Sequence, residues 1–148
     1  MNILFDIHVI VLVLGGILAA SALIVAQKPD AAKLIAKLAP YQTTIGIALI
    51  VLGIVNFVRL VPHLTEAFKF NLLLGAVELT ICGASALLGV LFAMGPIMHF
   101  FAGNATAERK ALELHAKVAP YQLLIGLAGL LGAAFYFLYR FHIITASA

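Results

Sequence analysis

The sequence predicts an all-α integral membrane protein, a bundle of four transmembrane helices built from two tandem, parallel hairpin repeats with both termini outside. Three observations predict it. The 148 residues are 64% hydrophobic and only 10% charged, whereas a soluble domain carries about a quarter charged residues. Four apolar runs, at 3–26, 41–61, 70–94 and 121–141, each supply the roughly 20 residues that a helix needs to cross the hydrocarbon. Finally, residues 31–57 return at 111–137, where KLAPYQ is echoed by KVAPYQ.

The runs are rich in Leu, Ala and Gly and do not alternate, which excludes barrel strands of period two. No hydrophilic stretch is long enough to fold alone, so residues 1–148 form one membrane domain, with repeat 1 at about 3–61 and repeat 2 at about 70–141.

The first run has no basic residue ahead of its apolar core and carries Asp6 and His8 instead. It therefore reads as a retained span and not as a cleaved signal. Gly15, Ala19, Ala22 and Ala26 form its small face.

The second run is preceded by a short charged segment, Ala31 to Leu38, that Pro40 is expected to stop. Proline suits a first helical turn, where its missing N–H costs nothing. Tyr41 then falls at the lipid boundary, where an amphipathic ring is favoured. Pro40, Tyr41 and Gln42 are matched by Pro120, Tyr121 and Gln122 before the fourth run, so the motif marks the cytoplasmic start of both helices. Helical steps give a stripe of Gln42, Gly46, Leu49, Gly53 and Asn56 in one copy. The other copy has Gln122, Gly126, Gly129, Ala133, Tyr136 and Arg140.

The third run carries Asn71, Gly75, Glu78, Cys82, Ser85, Gly89 and Ala93 on one line. Small residues let helices approach closely where lipid gives no hydrophobic drive, so these stripes should face protein. The helix should end or bend at Gly95-Pro96, with Met98, Phe100 and Phe101 as an interfacial patch or a partner contact. Asn104-Ala105-Thr106 fits a glycosylation triplet on the cytoplasmic side and reads as accidental.

Charge sets the orientation. Lys28, Lys33, Lys37, Arg109, Lys110 and Lys117 precede the second and fourth runs, against Arg59, Lys69 and Arg140 at the other side. Positive charge stays inside, which places the repeat loops in the cytoplasm. The expected location is the bacterial inner (plasma) membrane. The net charge of +3 follows from this bias, and no nucleic-acid partner is implied.

Glu78 is the acidic residue well inside a span, about 10 Å deep at 1.5 Å per residue, and a charge there marks a functional position. With Asn56 and Tyr136 it is expected to share one layer, a protonated Glu78 donating to either. Cys82, one turn deeper, completes this polar cluster as a small buried hydrophobe. Glu78 and Cys82 lack further metal ligands nearby. His63, His99, His115 and His142 lie in loops or tails and His8 near a span end, a placement that speaks for interfacial histidines and against heme. Neither metal nor cofactor is expected. Arg59 and Arg140 read as anchors that snorkel to headgroups.

No nucleophile with a base, no phosphate loop and no metal-ligand spacing is present, so the chain does not read as an enzyme. The function expected is that of a structural or assembly subunit, a homo-oligomer or part of a larger membrane complex, associating through its small-residue faces. The competing reading is an ion or proton pathway centred on Glu78.

Overall fold

The computed structural model describes residues 3–141. Within them the protein is all-helical. The first run begins as α1 (Ile3–Ala19) and continues as α2 (Ser21–Gln27) after a 67° bend. The run expected as one helix over 3–26 is therefore bent at Ala20, and the pair still counts as a possible fourth span. Ala20 leaves the helical basin at φ −93°, ψ 8°, and beyond it Ala22 and Ala26 are exposed. The 17 residues of α1 reach about 25 Å, slightly less than the hydrocarbon thickness of about 30 Å.

Next come α3 (Ala31–Leu38), α4 (Gln42–Leu60) and α5 (Leu64–Phe70). The proline does not stop α3. Ala39, Pro40 and Tyr41 form a single 3₁₀ turn with Pro in its first positions, where no hydrogen bond is lost, and helical structure runs on through Ala31–Phe70 for 40 residues. The same turn at Ala119–Tyr121 joins α8 (Ala105–Val118) to α9 (Gln122–Arg140).

Between them lies α6 (Leu72–Phe92), which starts where the Asn71 side chain accepts from the backbone N–H groups of Leu73 and Leu74. Asn71 is thus a cap and not part of the packing line. The helix breaks at Ala93, two residues ahead of Gly95-Pro96, and α7 (Met94–Phe100) follows. Asn104 of the glycosylation triplet caps α8 by accepting from the Ala107 N–H.

Helices α4, α6 and α9 are long and apolar enough to cross a membrane, and the bent α1–α2 pair makes up to four spans. In the bundle α1 packs on α4 and α9, and α6 packs on the same two. The pairs α1/α6 and α4/α9 are therefore the diagonals of the bundle, with α1 and α6 also touching across it.

The small stripes bring these helices together. A β-carbon on Gly89 would lie 2.5 Å from Ile50 Cγ1 and one on Gly46 2.7 Å from Phe92 Cβ, which ties α6 to α4. On the opposite side, a β-carbon on Gly126 would lie 2.6 Å from Ala19 Cβ, which ties α9 to α1. Gly53 sits against Ser85, Gly129 against Leu12 and Ala84, and Gly75 against the Phe68 ring of α5. The glycines of the stripes are thus packed against neighbouring helices of the same chain. Ile10, Ile47, Val51, Ile54, Val58, Leu124 and Leu131 point outward and give the bundle an apolar exterior, suited to acyl chains.

Candidate functional site: a polar cleft above a buried histidine

Polar side chains gather where α4 and α9 end and α1 begins. His8 of α1 is fully buried. Its Nε2 lies 2.7 Å from Ser85 Oγ on α6, and its Nδ1 lies 3.1 Å from Asn56 Nδ2 on α4.

Asn56 settles the protonation. Its Nδ2 also donates to the Leu52 carbonyl at 3.0 Å, an oxygen that can only accept, so the amide nitrogen faces both partners. Nδ1 of His8 therefore accepts. The ring is neutral, its proton sits on Nε2, and that N–H donates to Ser85. Three helices are pinned by one imidazole.

A second set lies beside it. Tyr136 Oη donates to Asp6 Oδ1 at 2.5 Å, and Arg140 Nε approaches the same oxygen at 3.5 Å. The Arg140 contact is an ion pair without hydrogen-bond geometry, which leaves its buried Nε without an acceptor. Phe5 packs edge-on against both Tyr136 and His8, with ring centroids 5.0 and 5.7 Å apart.

Above these groups opens a cleft of about 370 Å³, lined by Phe5, Asn56, Arg59, Leu60, His63, Leu74, Glu78, Tyr136 and Tyr139. Glu78 is half-buried in its wall. Among the described residues it makes no hydrogen bond and no ion pair. The layer expected of Glu78, Asn56 and Tyr136 thus exists as one cleft, but the expected bonds do not. Asn56 is committed to His8 and Leu52, and Tyr136 to Asp6, so neither is turned toward the glutamate.

Cys82 is buried one turn below Glu78 and does not line the cleft. Among the described residues no three His, Cys, Asp or Glu side chains come together.

Beneath His8 the interior closes. Leu12 of α1, Leu49 of α4 and Leu88 of α6 are each fully enclosed, and Gly129 of α9 sits against Leu12. The cleft and its histidine end on this apolar layer.

Several readings of single residues change. His8 is not interfacial, because its ring is fully buried where α1 packs on α4 and α6. Arg140 leans on Asp6 and is not simply an anchor in headgroups. His63, by contrast, stays exposed, 3.8 Å from Glu66, and His142 lies outside the described residues. The repeat motifs stay on the surface: Pro40, Tyr41, Gln42, Pro120 and Tyr121 are exposed, and Gln122 is partly so. Asp6 and Ser85 were not singled out as site residues. The available signal was two polar residues, Asp6 and His8, inside one apolar run, with Ser85 on a facing stripe.

Comparison with protein-family models, with curated proteins and with solved structures finds no match. The chain's function has to be argued from its own geometry.

Proposed function

We propose that this chain is a non-enzymatic integral membrane subunit, a small bundle that serves as a structural or assembly partner in a homo-oligomer or a larger membrane complex. The observation that carries this reading is the apolar layer of Leu12, Leu49 and Leu88, fully enclosed beneath the polar cluster. A bundle filled in this way has no path for water or ions through one protomer. Its helix-packing glycines act inward, so association with partners falls to the exposed aliphatic faces of α4 and α9 and to the Phe100-Phe101 edge of α7.

In this reading the two hairpins, α1 with α4 and α6 with α9, are tandem copies related by an axis along the membrane normal. The diagonal placement of α1 opposite α6 and α4 opposite α9 supports it, since such an axis exchanges those pairs. A parallel repeat of this kind differs from the inverted repeats of many alternating-access carriers. The loops around α3 and α8 lie in the cytoplasm of a bacterial inner membrane, and the Glu78 cleft faces outside.

A second reading has one observation in its favour. Glu78 is an acid inside a span, half-buried and without a hydrogen-bond or ion-pair partner among the described residues, and such groups mark ion or proton routes. A conducting version would place the route between subunits, with Glu78 as its titrating group.

Mild extraction from the native membrane, followed by mass measurement of the intact particle, tests the subunit reading. The expected result is a defined oligomer or a stoichiometric membrane partner. A lone monomer under conditions that preserve other membrane complexes would oppose it.

A further inference from the structure

The cleft has a composition that the subunit reading does not use. One wall holds the half-buried carboxyl group of Glu78 and the rim holds the exposed guanidinium of Arg59. Neither makes an ion pair among the described residues, with the other or with a third group. The rest of the lining is mostly apolar and aromatic, including Leu60, Leu74 and Tyr139, with Asn56 and His63 as its other polar members. An unpaired carboxylate drawn out of water is costly until a cation meets it, and aromatic walls favour an ammonium ion.

Location narrows the ligand. Arg59 is next to the last residue of α4, and Leu74 is the third residue of α6, so the cleft opens at a span end, the depth of lipid headgroups. Its volume of about 370 Å³ lies within the usual range of small-molecule sites, about 300 to 1,000 Å³.

From this geometry we propose that the cleft binds a zwitterionic group carrying a primary ammonium and a phosphate. The ammonium seats on Glu78 and the phosphate on Arg59, the arrangement that a phosphatidylethanolamine headgroup would satisfy. An anionic headgroup without an ammonium would meet Glu78 with the wrong sign. A simple cation would leave Arg59 unanswered. The proposal is independent of whether the chain acts as a subunit or as a pathway.

The test uses the full chain in detergent, stripped of native lipid and offered equal amounts of phosphatidylethanolamine and phosphatidylglycerol with matched acyl chains. Retained lipid is then read by native mass spectrometry. Wild type should keep phosphatidylethanolamine with about a tenfold preference, the effect of one ion pair worth about 1.4 kcal/mol. Glu78→Gln should abolish the preference while its thermal unfolding is unchanged. Arg59→Gln, at an exposed position, should weaken retention and keeps the test decisive if Glu78→Gln does not fold. Free phosphoethanolamine at millimolar concentration separates the sources: displacement of the lipid assigns a soluble zwitterion, and persistence assigns the lipid itself. Either result upholds the ligand class. Equal retention of both lipids, or a preference that survives Glu78→Gln and Arg59→Gln, would overturn it.

Discussion

His8 Nε2 and Ser85 Oγ lie 2.7 Å apart although 77 positions separate the two residues in the chain. The bond crosses a diagonal of the bundle, from α1 to α6, while Asn56 holds the other ring nitrogen from α4. Ser85→Ala leaves a buried N–H without an acceptor and is expected to cost about 1 to 3 kcal/mol. In a cycle with His8→Leu, the coupling should be about 0.6 to 1.7 kcal/mol, the range for interhelical hydrogen bonds in membranes. Unfolding in mixed micelles measures it, and strictly additive effects would show that the bond contributes nothing.

Two glycines of α6 should respond oppositely to the same substitution. At Gly89 an added β-carbon would come within 2.5 Å of Ile50 and 2.9 Å of the Gly46 carbonyl oxygen, whereas at Gly83 it meets nothing within 4 Å. Gly89→Ala is expected to destabilise by about 1 to 3 kcal/mol through overpacking. Gly83→Ala should be neutral or stabilise by up to about 1 kcal/mol from helix propensity. Melting temperatures of the two variants decide, and similar values would contradict the close α4–α6 contact.

Tyr136 holds Asp6 at the start of α1. Removing that hydroxyl with Tyr136→Phe should cost about 1.5 to 3 kcal/mol, the range for a hydrogen bond to a charged group. Arg140→Gln should cost less than about 1 kcal/mol and in a salt-dependent way, because that ion pair is partly exposed and lacks hydrogen-bond geometry. Denaturation at two ionic strengths separates them. A larger loss from Arg140→Gln than from Tyr136→Phe would reverse this ranking.

Labelling tests the topology. In a Cys82→Ser background, single cysteines at Lys33 and Lys110 should react with a membrane-impermeant maleimide from one side of the membrane, and a cysteine at Glu66 from the other. Lys33 and Lys110 reacting from opposite sides would contradict the parallel hairpins.

The packing of the bundle was legible because it depends on spacing. Glycines recurring at three and four residues had to share a face, and Gly46, Gly53, Gly89, Gly126 and Gly129 are all buried. What spacing did not reveal was axial offset. Nothing local says that His8 of α1 comes level with Asn56 and with Ser85 of α6, or that Ala20 turns the chain aside without a proline. The polar cluster was legible in part for the same reason. Asn56, Glu78 and Tyr136 were placed at one depth by counting from their helix ends, but partners depend on which side chains face one another. Asp6 and His8 took the bonds that counting had assigned to Glu78.

Purified protein reconstituted into liposomes with an interior pH-sensitive dye tests the non-conducting subunit reading most directly. Under an imposed pH gradient and membrane potential, a subunit with Leu12, Leu49 and Leu88 enclosed in each protomer and no route between copies predicts proton leakage no faster than in protein-free vesicles, for wild type and Glu78→Gln alike. Protein-dependent flux that disappears in Glu78→Gln, with assembly intact, would contradict the subunit reading and establish a route through the glutamate.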